Sequence, residues 1–178
     1  MSTDARDLSA RDDRSSTASA PEVRRVVTGH DSEGRSVLLS DEVFSGPGTI
    51  GTLLWTTDCS PADNTDETDG AKRDVGIAHA DGSVFRFTRL QPGHRSPMHR
   101  TASIDYALVL EGQLVMELDG GDSVRLEPGD VVIQRGTKHV WFNDTDAPCL
   151  VAFILIAAEK LTIDGRVLEP TPPPTKPL

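Results

Sequence analysis

The sequence predicts an all-β fold, a sandwich or a barrel, and three observations carry that prediction. Short runs of branched and apolar residues recur along the chain. Gly, Pro, Asn and Asp interrupt them at intervals of about ten residues. No segment shows the 3.6-residue apolar period of an amphipathic helix.

The elements follow in order. Residues 24–28 and 36–39, divided by the turn at 31–34, read as an opening hairpin, and 49–55 as a third strand. The acidic run SPADNTDETDGAKRD at 60–74 reads as a solvated insertion, with a lid as the alternative. Ser83–Leu90 alternates, Phe85 and Phe87 facing one way and Arg86 and Thr88 the other. Strands 103–110 and 113–118 meet at Glu111 and Gly112. Ser123–Leu126, 131–134 and 140–143 are each preceded by a turn-forming segment or a glycine. After a turn at 144–148, strand 150–157 lies within CLVAFILIAA, a run of the length expected for a strand covered on both faces.

Ends and composition bound the rest. Residues 1–21 are rich in Ser, Asp and Arg and are expected to be disordered. Residues 169–178 form a Pro-rich tail, and from Pro170 on it is not expected to enter a sheet. One ordered domain is expected over 22–168, long enough to close a core without disulfides. Cys59 and Cys149 are read as free thiols. The net charge of −10 argues against nucleic acid and against an anionic membrane surface. The N-terminus carries charge where a signal peptide needs an apolar centre, so a cytoplasmic location is expected.

Chemistry concentrates between Gly93 and Asn143. His99, Thr101 and Asp105 are separated by even numbers, so on a strand they share a face. His139 opens a later strand toward the same place, and Trp141 and Asn143 share its parity. Two imidazoles and a carboxylate suit either a divalent metal or acid–base chemistry. Tyr106 has the opposite parity to Asp105 and is expected to face a neighbouring sheet or subunit.

These residues resemble the two motifs of the cupin superfamily. The first is commonly written G-x5-H-x-H-x3-4-E-x6-G. Gly93, His99, Asp105 and Gly112 stand at its positions, with Thr101 where the second histidine would be. The second, G-x5-P-x-G-x2-H-x3-N, is matched by Gly129, His139 and Asn143, with Arg135 in place of the proline and one residue fewer before the histidine. The resemblance implies a single jelly-roll barrel with extra N-terminal strands, and a homodimer. It also implies one divalent metal ion (Fe, Zn, Ni or Mn) on His99, Asp105 and His139. Thr101, Trp141, Asn143, Phe85 and Phe87 would then line the pocket or support the ligands. The activity implied is that of a small-molecule enzyme of dioxygenase, isomerase, lyase or decarboxylase type. Two alternatives stand beside it: a metal-free enzyme in which Asp105 and a histidine move a proton, and a barrel that only binds a small ligand.

Overall fold

The computed structural model describes residues 22–44 and 51–171. The tail predicted at 1–21, positions 49–50 of the third predicted strand and residues 172–178 of the Pro-rich end lie outside the described residues. Twelve strands are described: β1 (Val23–His30), β2 (Ser36–Phe44), β3 (Thr52–Thr57), β4 (Ser83–Leu90), β5 (Ser103–Glu111), β6 (Leu114–Leu118), β7 (Ser123–Leu126), β8 (Val131–Arg135), β9 (His139–Phe142), β10 (Cys149–Ala157), β11 (Thr162–Ile163) and β12 (Arg166–Val167). A single 3₁₀ turn, Gly70–Lys72, is the helical element among the described residues. No helix among them is long and apolar enough to cross a membrane.

Two sheets make the body. One has five strands in the order β3-β4-β10-β5-β8, the other three in the order β7-β6-β9. The last long strand therefore returns to the middle of the larger sheet, between β4 and β5, and both of its pairings are antiparallel. Its first residues, Cys149 to Ala152, are buried without alternation, as the apolar run predicted.

The core lies between the sheets. Leu90, Ala107, Val109, Cys149 and Val151 come from the larger sheet and meet Leu114, Leu126 and Trp141 at the smaller one. Full burial of a side chain such as Leu114 stabilises the fold by about 1.5–3 kcal/mol. Strand β5 shows how the site is placed. Its inward residues are Ser103, Asp105, Ala107 and Val109, while Ile104 and Tyr106 face out. One end of that inner face is polar and the other apolar, so core and site share a single surface.

The register of β4 corrects the reading of its two phenylalanines. Phe85 lies opposite Ile154, which lies opposite Tyr106, which lies opposite Ile133. Directly paired residues share a face, and Tyr106 and Ile133 are exposed. Phe85 and Phe87 are therefore on the outer face, half-buried, and line no pocket between the sheets. The interior takes Val84, Arg86 and Leu90 instead. Parity had separated the two sets correctly; the error was to give the aromatic set to the inside, because the inner set contains an arginine.

The opening hairpin is a sheet of its own, β1 with β2, carrying a bulge between Val27 and Thr28. Arg25 ties it to the acidic segment at 60–74. Its guanidinium donates to both carboxylate oxygens of Asp69 at 2.6 and 2.7 Å and to Glu42 at 2.6 Å, with the Phe44 ring 4.5 Å away. Arg73 of the same segment donates to the Thr56 carbonyl at 2.8 Å and pairs with Asp58 and Asp66. The segment expected to be a plain solvated insertion is thus anchored at two arginines. At the other end of the chain, β11 and β12 form a small hairpin through Asp164 and Gly165, both at positive φ. Beyond it Thr171 pairs with Arg100, so the Pro-rich end contributes one bridge despite the expectation that it would stay out of any sheet.

Candidate active site

The polar end of the inner face gathers three groups. His99, outside any long strand, forms an isolated bridge with His139, each backbone N–H donating to the other's carbonyl at 3.1 and 3.0 Å. The bridge sets the two imidazoles with ring centres 4.2 Å apart and tilted by 52°. Asp105 projects inward from β5. All three are buried, with exposures of 8% for His99, 1% for His139 and 6% for Asp105.

Each imidazole is oriented by backbone. Nδ1 of His99 lies 2.9 Å from the Pro97 carbonyl. A carbonyl only accepts, so this nitrogen carries the proton and Nε2 keeps the lone pair. Nδ1 of His139 has two neighbours, the Thr137 carbonyl at 3.0 Å and Gln134 Nε2 at 2.6 Å. The Gln134 amide is itself fixed, accepting from Gly136 N–H at 3.0 Å and donating to the Thr137 carbonyl at 2.7 Å. His139 therefore meets an acceptor and a donor at one nitrogen, and either of its neutral tautomers is hydrogen-bonded. Burial lowers its pKa to about 4, so the ring is uncharged at neutral pH.

Asp105 is held by hydroxyls. Ser103 Oγ donates to Oδ1 at 2.5 Å, and Thr101 Oγ1 lies 3.4 Å from Oδ2. Ser103 and Thr101 are 2.8 Å apart. Ser103 has one proton, and the shorter, charge-assisted contact takes it. Burial raises the pKa of Asp105, opposed by the bonds from Ser103 and Thr101 and by the nearby His99. A hydrogen bond from Asp105 that would orient either imidazole is not among its contacts; backbone carbonyls perform that task.

Three donors on one ion require convergence, which this arrangement lacks. Among the described residues no group of three or more His, Cys, Asp or Glu is placed to hold a metal. The carboxylate is short by one methylene relative to Glu and is engaged by hydroxyls on its own segment. The expected triad of His99, Asp105 and His139 is thus a pair of imidazoles with a separately held carboxylate, and the donor set does not fit a three-ligand centre.

The remaining sequence candidates divide. Trp141 is buried between His139 and Phe153, ring centres 5.3 and 5.4 Å away. Asn143 is fully buried and fully used: its amide donates to the carbonyls of Leu90 and Ala147, and its oxygen accepts from Thr145. It holds a loop and offers nothing to a ligand. Sequence reasoning missed Ser103, Gln134 and Arg86. Ser103 was legible in principle, since it completes the even series 99, 101, 103, 105. Gln134 becomes visible only through the register that sets it opposite Asp105.

Comparison with known proteins gives a consistent family. The cupin-domain family model matches residues 86–156. The chain is 36% identical over 159 residues to the cupin-domain-containing oxidoreductase fogC of Aspergillus ruber, covering 83% of this chain and 78% of that protein. It is 36% identical over 172 residues to the phomopsin biosynthesis cluster protein C' of Diaporthe leptostromiformis, covering 87% and 90%. It is 31% identical over 164 residues to the cupin-domain-containing oxidoreductase virC of Hypocrea virens, covering 84% of each.

Proposed function

This chain belongs to the cupin family, and from that premise we propose that it is a small-molecule enzyme working by proton transfer at His99, with His139 and Asp105 in support. The relatives named as oxidoreductases and biosynthesis-cluster proteins support an enzyme acting on a small molecule. The observation that carries the proton-transfer reading is the pair of buried imidazoles, 4.2 Å apart, with different surroundings at Nδ1.

The roles follow from those surroundings. His99, with its Nδ1 proton committed to Pro97, presents the Nε2 lone pair as the base that removes a proton beside a carbonyl. The imidazolium so formed is stabilised by the buried carboxylate of Asp105. His139 stays neutral; when Nδ1 accepts from Gln134 its Nε2–H is a donor for the oxygen on which the electron pair collects. Return of the proton to a different atom, or loss of a neighbouring leaving group, completes the turnover. Enolisation of this kind serves isomerases and dehydratases; the oxidation in the relatives' names would need an electron acceptor in addition.

A second reading has one observation in its favour. Nδ1 of both histidines faces a backbone carbonyl, an arrangement also used to orient imidazoles that bind a divalent Fe, Zn, Ni or Mn through Nε2. Two measurements separate the readings: metal content per subunit, and solvent-deuterium exchange into a panel of small ketones and keto acids. Exchange by protein with substoichiometric metal, lost in His99→Gln and Asp105→Asn, supports proton transfer. Exchange or turnover that appears only with an added divalent ion and is removed by a chelator refutes it.

We take the two facing sheets as the walls of one jelly-roll barrel, with the β1–β2 hairpin as its N-terminal addition. We place a second copy of the chain against the outer face of the larger sheet. There Ile104, Tyr106, Val131 and Ile133 are exposed large apolar residues on adjacent strands, a contiguous apolar face of the kind that marks an interaction surface.

A further inference from the structure

Arg86 is a cation in an unusual position. It lies on the inner face of β4, opposite Phe153 of β10, which lies opposite Ala107 of β5. It thus shares a face with the row that carries Asp105, and it is 6% exposed. Nη2 donates to the carbonyls of Gly76 and Ile77 at 2.6 and 3.0 Å. Nε is buried with no hydrogen-bond partner. No ion pair joins Arg86 to a described residue, and burial lowers its pKa to about 10.

The comparison with Arg25 shows what is missing. Arg25 is also buried and also has an unpartnered Nε, but its charge is met by Asp69 and Glu42. At Arg86 two carbonyl oxygens supply partial charge and no carboxylate supplies the rest. An uncompensated cation at this depth is unfavourable in the free protein and is relieved by any anion that reaches it. Carbonyl anchoring alone would be served as well by a neutral amide.

Between Arg86 and the histidines runs an aromatic path. Phe153 is the cross-strand neighbour of Arg86, its ring centre lies 5.4 Å from that of Trp141, and Trp141 lies 5.3 Å from His139. A ligand lying along it would have an anion at one end, an apolar or aromatic body in the middle and a reacting carbon at the other.

We propose that Arg86 is the anchoring subsite for a substrate carboxylate, and that the substrate is an aryl or similarly apolar carboxylic acid whose body lies against Phe153 and Trp141. The orientation of such a substrate rests on the reading of the His99–His139 pair as the reacting end; the anion subsite itself does not. A carboxylate is favoured over phosphate because Arg86 is buried and is a single guanidinium, matching one negative charge. Arg86 is a binding residue, not a proton-transfer group.

The test uses the full chain carrying Trp55→Phe, which leaves Trp141 as the reporting indole, since the sequence has two tryptophans. Fluorescence is titrated with 3-phenylpropanoate, with 3-phenylpropan-1-ol and with inorganic phosphate. The acid is expected to bind at least about tenfold more tightly than the alcohol, and Arg86→Met to abolish that preference while leaving the alcohol unchanged. His99→Gln is expected to keep the preference, so a failure of the proton-transfer reading does not imitate a failure here. The Nε–H resonance of Arg86, assigned by its loss in Arg86→Lys, is expected to move with the acid and not with the alcohol; this readout decides the matter if Arg86→Met does not fold. Equal binding of acid and alcohol, or an acid preference that survives Arg86→Met, would overturn the assignment. Phosphate binding tighter than the acid would overturn the carboxylate class.

Discussion

Ser103→Ala removes one hydroxyl from the buried side of Asp105, and its consequences can be worked through. The Ser103 Oγ–Asp105 Oδ1 contact is 2.5 Å and Ser103 is 2% exposed, so no water replaces the lost donor without rearrangement. A hydrogen bond to a charged group contributes about 1.5–3 kcal/mol. The neutral carboxyl keeps only part of that bond, so the Asp105 pKa should rise further. The sign matters for stability. Asp105 already binds its proton more tightly folded than unfolded, so its unfavourable contribution is absent in acid and grows as pH rises from the unfolded value toward the folded one. The serine relieves part of that penalty. Its loss should therefore destabilise the protein by about 1.5–3 kcal/mol at pH 7 and by about half as much near pH 3, where the carboxyl is neutral in both states. Urea denaturation at the two pH values measures the difference, and carbon-13 NMR of the Asp105 carboxyl measures the titration directly. An equal loss at both pH values, or an unmoved titration, would refute the assignment of Ser103 as the group that holds the carboxylate charged.

His139 should remain neutral down to about pH 4 by nitrogen-15 NMR. Because its folded pKa is depressed, stability present above the unfolded value near 6.5 should drain away as pH falls toward 4, by about 3 kcal/mol in total; titration near 6.5 would contradict this. Asp69→Asn should cost about 2 kcal/mol, less than a fully buried pair because Asp69 is partly exposed, and should open β1–β2 to limited proteolysis before the rest of the chain. If the outer face of the larger sheet joins two copies, Ile133→Asp should convert a dimer on sizing to a monomer; a wild-type monomer at micromolar concentration would exclude that interface.

Local signals carried the strand map. Ser83–Leu90 and Ser123–Leu126 fall where alternation and flanking turns placed them, because both depend on neighbours in sequence alone. The turn glycines 34, 112, 121 and 129 all adopt positive φ. One feature of the site was legible in the same way, the position of His139 at the start of a strand. The even spacing of His99 and Asp105 was not enough, since His99 lies outside β5 and meets His139 through an isolated bridge. What could not be read was which face of a strand would be the inner one. Phe85 and Phe87 looked like a pocket wall because apolar side chains usually point inward, whereas the choice is made by pairing with β10 and β5, remote in sequence. The hydroxyl that holds Asp105 and the amide beside His139 were missed for a related reason. Serine and glutamine carry no pattern of their own and gain a role only from what the register sets opposite them.

The central position of β10 has a consequence for how the chain acquires its site. Val84 and Asp105 belong to strands that never touch each other; both pair with Leu155, near the end of the body. Before that residue has left the ribosome, β4 and β5 each expose an open edge, and the arginine on one and the carboxylate on the other have no common frame. Contacts between residues so far apart in sequence form slowly, and open edges invite other chains. Assembly of the site thus waits for β10, and a product terminated before Cys149 would carry nearly every polar group of the site without being able to bring them together.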